Sequence, residues 1–349
     1  TLKTARDLAS EARKAMQSGA DPGQIRRDSK AKATFESDNT LEAVANEWLY
    51  TQSARWAAVT LDRIRASLEA DIFPTLGARP ISTIKPGEVM AAVKAIEARG
   101  AADQAGRVLQ RVKSIYRWAV IHERIESNPM LDLVPSEILK PRQVNHRPAL
   151  ADRDLPVYLA KLAAYEGDVH TVQALRLLLL TATRPGEVRG AVWSEFDLDA
   201  ALWIIPAERM KMRQEHRVPL SLQAAAVLRT MQTLSGDRLL VFPSPFYPSK
   251  SLSENTFNSA LARMGFKGSA TAHGFRALFS TVANESGWDS DVIERQLAHV
   301  ESNKVRAAYH RSTYLDDRAK LMQWWADYLD ARKTGKAGSK RARLPRRAA

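Results

Sequence analysis

Apolar residues recur every three to four positions through most of the first 135 residues, which is the spacing of an amphipathic helix. Breaks containing glycine or proline, such as "FPTLGARPIS" and "ARGAAD", interrupt this pattern. The pattern predicts four helices, at 39–52, 58–72, 86–98 and 103–122. We therefore expect a helical domain over residues 34–135.

Two stretches beside this domain lack enough apolar positions to build a core of their own. Residues 1–33 show helical spacing that stops at "SGADPG", and they are too few to fold alone. Because the chain opens on Thr1 rather than Met, we expect them to be the end of a longer N-terminal domain with its linker. Residues 136–148 contain prolines without sustained periodicity, which indicates a second linker.

The remaining region, over 149–330, mixes helical spacing with two short β-rich runs. The runs "ALWIIP" and "EHRVPL" stand on either side of the polar stretch "AERMKMRQ", a pattern typical of a β-hairpin. We expect helices at 152–165, 168–182, 221–234, 253–264, 274–286, 289–298, 303–309 and 314–330. The predicted fold class is mainly α, a helical domain followed by a mixed α+β domain with a small antiparallel sheet.

The charge balance favours a polyanionic partner. The chain has 52 Lys and Arg against 39 Asp and Glu, a net charge of +13. Residues 331–349 carry eight of these cations and no acid, so we expect a basic, disordered tail there. The remainder of the chain stays basic without that tail, and nucleic acid is therefore the leading candidate partner.

Other classes of protein are disfavoured by composition. The absence of cysteine excludes disulfides and thiolate metal sites. No apolar run approaches the ~18 residues that would span a bilayer, and the N-terminus lacks the apolar stretch of a secretory signal. We therefore expect a cytoplasmic protein without a membrane anchor.

The segment "TATRPGEV", at 181–188, contains a candidate anion-binding residue. An apolar helix ends there, Thr183 is expected to cap the next helix, and Pro185 suits its first turn. Arg184 is left at the junction beside backbone N–H groups, a place that favours an anion. The alternative is a simple ion pair between Arg184 and Glu187.

Two further segments carry candidate catalytic side chains. In "TAHGFRALFST", His273 and Arg276 lie three residues apart, on one face of a predicted helix. An imidazole and a guanidinium together suit a phosphate, because one can move a proton and the other gives forked hydrogen bonds. The alternative is a capping histidine with a surface arginine. In "RQLAH", His299 ends another short helix, and Tyr309 follows ten positions later.

The order Arg, His-x-x-Arg, His and Tyr over 184–309 resembles the active site of the tyrosine recombinases, the phage and prophage integrase family. The stretches "TATRPGEVRGAVW", "IPAERMKMRQEHRVPLS", "HGFRALFSTVANESGW" and "IERQLAHVESNKVRAAYHRSTYLDDRAKLMQWWADYL" are similar to integrases of prophages and genomic islands. "NEWLY" through "AVIHERIESNPM" resembles the family's helical core-binding domain. "LASEARKAMQSGADP" resembles the end of its N-terminal domain for arm-type DNA sites.

This resemblance implies a site-specific DNA recombinase that cleaves and rejoins DNA through a 3′-phosphotyrosine, and so integrates or excises a prophage or genomic island. It implies no metal and no cofactor, because the covalent intermediate conserves the bond energy. The implied partners are double-stranded DNA attachment sites, accessory DNA-bending or excision factors, and three further copies of the chain in a homotetramer on DNA. The resemblance allows a monomer in solution and implies association with the bacterial nucleoid.

The resemblance also implies a role for each candidate. Arg184 and Arg276 would clamp the non-bridging phosphate oxygens, where charge builds in the transition state. His299 would add a hydrogen bond there, and His273 would accept the proton of the nucleophile or assist its activation.

A lysine in the hairpin would protonate the leaving 5′-oxygen. The cations in the hairpin turn are Arg209, Lys211 and Arg213, and only an ammonium can release a proton near neutral pH, which favours Lys211. The alternative for Lys211 is an ordinary solvated hairpin tip. His216 lies in the same stretch, and the sequence assigns it no role.

Two tyrosines lie close together in this part of the chain, and they differ in their charged neighbours. Arg306, His310 and Arg311 surround Tyr309, which attracts a phosphodiester and favours a phenolate. Tyr314 precedes acidic residues at the start of the final predicted helix, where carboxylates suit the helix dipole and repel DNA. We therefore expect Tyr309 to be the nucleophile and Tyr314 to be structural.

Two helical surfaces leave alternatives open. On the helix at 103–122, four cations lie largely on one side and are candidates for DNA contact, the alternative being a solvated face: Arg107, Arg111, Lys113 and Arg117. The final helix has an apolar face that packs either on its own domain or on a neighbouring protomer.

Two other functions compete with the recombinase. One is a binding-only DNA regulator or inactive integrase remnant, although all six candidate catalytic side chains are present. The other is a DNA-relaxing topoisomerase with similar chemistry, which the small helical first domain and the integrase-like motifs disfavour.

Overall fold

A computed structural model describes residues 21–141, 148–299 and 313–334, together with residues 3, 9, 10, 13, 14 and 16–19. The chain divides into two compact units, Thr1–Val144 and Asn145–Ala349. Within the described residues, no helix is long and apolar enough to cross a membrane.

The first unit is helical throughout its described part. Its helices are α1 (Pro22–Asp38), α2 (Leu41–Gln52), α3 (Ala58–Asp71), α4 (Pro86–Ala98), α5 (Ala102–Ile121) and α6 (Pro135–Ile138). Helices α2 to α5 match the four predicted helices to within two residues at each end. Local signals set these limits, since Thr40 caps α2 through a hydrogen bond from Ala43 N and Pro86 occupies the first turn of α4.

Helix α5 is the centre of the first core. Its buried face includes Val108, Val112, Ile115 and Tyr116, each with no exposed surface. Helices α2, α3 and α4 pack on this face with side chains at helical spacing. The hydroxyl of Tyr116 donates to the carbonyl of Ile81 at 3.1 Å, so that the buried phenol has a partner.

The second unit is a helical assembly with one small sheet. Its helices are α7 (Leu155–Ala163), α8 (Val169–Thr181), α9 (Pro185–Arg189), α10 (Leu222–Ser235), α11 (Thr256–Arg263), α12 (Gly274–Glu285), α13 (Ser290–Gln296) and α14 (Leu315–Lys333). The strands β1 (Phe196–Asp197), β2 (Leu202–Ile205) and β3 (His216–Pro219) form an antiparallel sheet in the order β1-β2-β3. The predicted hairpin is confirmed as β2 and β3, in which Ile205 pairs with His216.

Strand β1 was not predicted, because a two-residue strand has no periodicity to detect. The helix expected at 303–309 lies outside the described residues. The core of this unit is built around α8, whose consecutive residues Leu177, Leu178 and Leu179 are all buried.

Helix α14 packs on its own unit, which decides between the two alternatives for its apolar face. Met322 and Trp325 have no exposed surface, and the indole N–H of Trp325 donates to the carbonyl of Leu179 at 2.8 Å. The ring of Trp325 also meets Phe279 of α12 edge to face, with centroids 5.5 Å apart. These contacts join the end of the chain to α8 and α12.

A close backbone approach fixes the start of α12. A Cβ atom on Gly274 would overlap the carbonyl oxygen of Pro148 and lie 2.8 Å from Cα of Ala149. Only glycine allows this approach, because the obstructing atoms belong to the main chain and cannot rotate away.

We therefore predict that Gly274→Ala lowers the free energy of unfolding by about 1–3 kcal/mol, the usual cost of overpacking. Chemical denaturation of the purified protein measures this loss. Gly186→Ala is the matched control, because a Cβ atom at that helical position meets nothing within 4 Å. Equal stability of the two variants would contradict the packing argument.

Candidate active site

Arg184 stands at the first turn of α9, where Glu187 holds it in place. The Glu187 carboxylate accepts from the backbone N–H of Arg184 at 2.7 Å and from its Nη1 at 2.8 Å. The prediction that Thr183 caps this helix was wrong, because Thr183 is buried and its hydroxyl pairs with that of Thr181 at 2.9 Å. Pro185 does occupy the first turn. The ion pair named above as the alternative for Arg184 is present. The other terminal nitrogen of Arg184, Nη2, donates to a second partner, the carbonyl of Ala298.

Arg276 lies in the first turns of α12 and is only 5% exposed. Its Nη1 donates to the carbonyl of Ala182 at 2.7 Å, and its Nη2 donates to the carbonyl of Leu297. Burial, together with the nearby charge of Arg184, lowers the pKa of Arg276 to about 10. The guanidinium therefore stays charged at neutral pH. Among the described residues, no carboxylate is hydrogen-bonded to it.

Three consecutive carbonyl groups at the C-terminal end of α13 organise the site. The carbonyl of Gln296 lies 3.2 Å from Nε2 of His216, that of Leu297 accepts from Arg276, and that of Ala298 accepts from Nη2 of Arg184 at 3.2 Å. The end of a helix carries partial negative charge on such carbonyls, so cations are favoured there. We call Arg184, Arg276 and the carbonyls of 296–298 the arginine pocket.

Two alanines in left-handed backbone conformation, Ala182 and Ala298, orient the carbonyls that accept from the two arginines. Ala182, which follows α8, has φ 51°, and Ala298, which follows α13, has φ 49°. Residues other than glycine adopt this conformation at a cost, which the surrounding structure must offset. Each alanine turns its carbonyl towards an arginine, Ala182 towards Arg276 and Ala298 towards Arg184.

The two candidate histidines lie at the ends of the helices that carry the pocket. His299 places Nε2 3.3 Å from Nη2 of Arg276 and Nδ1 2.6 Å from the carboxylate of Glu294. In the tautomer that satisfies both contacts, Nδ1 donates to Glu294 and Nε2 accepts from Arg276. His273 is exposed at the N-terminus of α12, three residues before Arg276.

The hairpin loop presents Lys211 to solvent. Arg209, in the same loop, is already engaged, because it pairs with the carboxylate of Glu195 and donates to the carbonyl of Glu187 at 2.6 Å. Lys211 and Arg213 are both exposed. The structure brings Arg184, Arg276 and His299 together, and it forms no hydrogen bond between Lys211 and any of these three.

His216 faces the arginine pocket from the start of β3, a position that the amino-acid sequence did not predict. It is 7% exposed and lies between the loop that carries Lys211 and the carbonyl of Gln296. Burial lowers its pKa to about 3, and the positive charges of Arg318, Arg184 and Arg276 act in the same direction. His216 is therefore neutral at physiological pH.

Only one of the two tyrosines lies within the described residues. Tyr309 lies outside the described residues. Tyr314 stands directly before α14, is half-buried against the core, and accepts through its carbonyl a hydrogen bond from the backbone N–H of Arg318 at 2.8 Å. The structural role expected for Tyr314 stays a prediction.

The candidate DNA-binding cations of the first unit lie on the outward half of α5. At 3.6 residues per turn, Arg107 and Arg111 lie roughly 40° apart, as do Lys113 and Arg117, and the four residues together span roughly 160° opposite the buried face. Arg107 pairs with Asp103 at 2.8 Å. Lys113 donates to the carbonyls of Leu131 and Leu133 at 2.9 and 2.7 Å, contacts that support the turn after α5.

Comparison with known proteins identifies the family that has this fold. Residues 41–135 match the family model described as the phage integrase central domain, and residues 156–315 match the model described as the phage integrase family. The integrase of Enterobacteria phage P4 is 43% identical over 95% of this chain and 78% of its own length. Prophage integrase IntA of Escherichia coli K12 is 36% identical over 96% of this chain and 81% of its own.

Solved structures show the same fold at lower identity. A lambda integrase dimer bound to a core site has a TM-score of 0.61 and 20% identity, covering 81% of both chains. A lambda integrase tetramer bound to a Holliday junction has a TM-score of 0.63 and 20% identity, covering 78% of this chain and 82% of that one. The chain belongs to the phage integrase family. Its predicted fold class and its predicted activity, site-specific recombination of the tyrosine type, are thereby confirmed, and the binding-only alternative is not favoured.

The neutral state of His216 leads to a pH prediction. The unfolded chain takes up a proton at this residue near pH 6.5, whereas the folded chain does so only near pH 3, so protonation favours unfolding between these values. This contribution is fully present above pH 6.5 and is lost as the pH falls. Between pH 7 and 5 it amounts to roughly 2 kcal/mol.

We expect His216→Gln to remove this contribution. Urea unfolding at pH 7, 6 and 5 should therefore show a smaller loss of free energy in the variant than in the wild type. Parallel losses in the two proteins would mean that His216 is protonated in the folded state.

Proposed function

We propose that Arg184, Arg276 and His299 bind the scissile phosphate of a DNA strand, with Tyr309 as the nucleophile. The convergence of the first three residues carries this proposal. They come from α9, α12 and the end of α13, and they share the carbonyl run 296–298 or contact one another. A buried guanidinium that bonds no carboxylate among the described residues favours an incoming anion, and a phosphodiester fits its forked donors.

The proposed reaction is a transesterification. The phenol oxygen of Tyr309 forms a bond to phosphorus while the bond from phosphorus to the 5′-oxygen breaks, which gives a 3′-phosphotyrosine and a free 5′-hydroxyl. The phenol proton passes to His273, and the leaving oxygen takes a proton from Lys211. Attack by a 5′-hydroxyl of a partner strand reverses these steps and releases the tyrosine.

The proposed substrate is a pair of double-stranded attachment sites, and the proposed assembly is a homotetramer on DNA. The net charge of +13 supports a DNA partner, and the lambda integrase structures bound to a core site and to a Holliday junction support this assembly by analogy. The relatives are named as phage and prophage integrases, which supports integration or excision of a prophage or genomic island as the outcome of the reaction. Accessory bending factors and nucleoid association belong to the same proposal.

The proposed domain borders are those expected from the sequence, with DNA binding by 34–135 and catalysis by 149–330. The DNA contacts proposed for α5 then come from the half of the helix opposite its buried face. Arg117 is exposed, and Arg107 is exposed beside Asp103, so these two are the more accessible of the four cations.

The identity of the nucleophile can be tested on a nicked suicide duplex. The duplex is selected from a library with a randomised core by covalent capture with the wild-type protein. We expect a denaturant-resistant protein–DNA adduct that is absent in Tyr309→Phe and retained in Tyr314→Phe, because only the first change removes the attacking oxygen. The adduct is measured by denaturing gel electrophoresis.

Tyr314→Phe is the matched control, since it deletes one hydroxyl only a few residues away. The opposite pattern would transfer the nucleophile to Tyr314. No adduct from the wild type on any library member would refute the covalent mechanism.

The proton donor can be tested by changing the leaving group. We expect Lys211→Ala to slow cleavage by about 10²–10⁴-fold with unchanged DNA affinity, the usual contribution of a general acid. A duplex with sulfur in place of the bridging 5′-oxygen should restore the rate, because a thiolate leaves without a proton. Single-turnover cleavage of the two duplexes measures the effect.

Lys211→Arg sharpens this test. It keeps the positive charge, but its guanidinium does not release a proton near neutral pH, so it should behave like Lys211→Ala. Arg213→Ala, in the same exposed loop, is the control and should cleave both duplexes alike. Failure of the sulfur duplex to rescue Lys211→Ala would remove Lys211 from the acid role.

A further inference from the structure

Gln296 connects three parts of the catalytic unit through groups that water does not reach. Its side chain has no exposed surface. The amide nitrogen donates to the carbonyl of Thr181 at 2.9 Å, at the end of α8, and the amide oxygen accepts from Nε of Arg318 at 3.0 Å. Its own carbonyl is the first of the run that faces His216 and the two arginines. Gln296 therefore ties the arginine pocket to the last helix.

Arg318, in the first turns of α14, is the other half of this connection. It is 3% exposed, and besides Gln296 it donates to the carbonyl of Thr313 at 3.4 Å and to the carbonyl of Arg217 on β3. Burial lowers its pKa to about 10, so that it remains charged at neutral pH. Its bonded partners among the described residues are neutral. An apolar side chain would fill the same space without the cost of desolvating a charge, which indicates a positional task.

The two residues lie on either side of segment 300–312 in the chain. Gln296 and His299 belong to the chain that enters this segment, and Thr313, bonded to Arg318, is the first residue after it. Tyr309 lies four residues before Thr313. Whatever its conformation, four residues span at most ~14 Å, since an extended chain covers 3.3–3.6 Å per residue. Ten residues separate Tyr309 from His299, so the end at Thr313 limits its position more tightly.

We propose that Gln296 and Arg318 form a staple that holds the exit of segment 300–312 at the arginine pocket, and that both act as positioning residues for the nucleophile. This inference rests on the proposed role of Tyr309. It assigns neither residue a contact with DNA. Loss of the staple leaves the arginine pocket with its phosphate-binding groups and removes the anchor that keeps Thr313 beside it.

Cleavage and rejoining should respond differently to loss of the staple. Cleavage begins with a free tyrosine that must be brought to the phosphate, whereas rejoining begins with the tyrosine already bonded to phosphorus. A positioning residue therefore affects the first rate and spares the second. A residue that stabilises charge on the phosphate affects both rates, because both pass through the same transition state.

The experiment measures both single-turnover rates for Arg318→Met and Gln296→Leu on the selected suicide duplex. Rejoining starts from isolated adduct supplied with a strand bearing a 5′-hydroxyl. We expect cleavage to slow more than tenfold, rejoining to stay within threefold of the wild-type rate, and DNA affinity to stay within twofold. Arg184→Ala should slow both reactions. Arg318→Lys, which keeps one donor, should recover part of the cleavage rate.

Arg332→Met is the matched control, because it removes an arginine from the other end of the same helix. Arg332 donates to the carboxylate and the carbonyl of Asp152 at 2.9 and 2.7 Å, away from Gln296. It should destabilise the packing of α14 without slowing cleavage. If Arg318→Met fails to fold, Gln296→Glu, which keeps an acceptor for Arg318, and Arg318→Lys are compared in its place, with partial slowing of cleavage alone expected.

Three outcomes would overturn the staple: unchanged cleavage in the variants, equal slowing of cleavage and rejoining, or equal slowing by Arg332→Met. These outcomes are read against a wild-type protein that forms the adduct through Tyr309. Failure of the proposed function is seen separately, as absence of that adduct or its persistence in Tyr309→Phe.

Discussion

The burial of one charged guanidinium constrains where several helices of the second unit end. Arg276 is held almost out of contact with water, and a charge in that position must have its hydrogen bonds satisfied. The groups that satisfy them come from two segments distant in sequence, the end of α8 and the end of α13. For Arg276 to be stable, both helices must end at the same point. The arginine pocket is the place where these ends meet.

The charges around this pocket are unbalanced in favour of positive charge, and this imbalance makes the pocket favour an anion. Glu187 forms an ion pair with Arg184. The carbonyl oxygens that accept hydrogen bonds from Arg276 and Arg318 carry only partial negative charge. His216, a nearby group that could add charge, is kept neutral by its burial and, in addition, by the positive charges of the arginines. An anion that enters the pocket replaces costly repulsion between cations by attraction, and its effect is large because little water is present to screen it. The proposed affinity for phosphate and the burial of Arg276 thus have one cause.

The sequence predicted those features that depend on repeated spacing or on a distinctive side chain. Helices α2 to α5 and the β2–β3 hairpin follow from apolar periodicity. Five of the six candidate catalytic residues were predicted from a recognisable order of Arg, His and Tyr, and Lys211 from its place in the hairpin. Features that depend on main-chain geometry were missed. The start of α9 is held by Glu187, whose carboxylate reaches back to the N–H of Arg184, while the hydroxyl of Thr183 pairs with that of Thr181. Gln296 and Arg318 look ordinary in sequence, since their importance lies in contacts across more than twenty residues.

The use of main-chain carbonyls at the pocket has a consequence for how this surface tolerates change. A carbonyl cannot be deleted by substitution, so the hydrogen bonds at positions 182 and 298 depend on the left-handed turn of the backbone and not on a particular side chain, although Ala182 is fully buried and its replacement must also be small. Glycine and asparagine adopt that turn readily, whereas valine, isoleucine and threonine resist it. The constraint at these two positions is therefore one of shape rather than chemistry. In a set of homologues, these two positions would lack β-branched residues without being limited to one residue type.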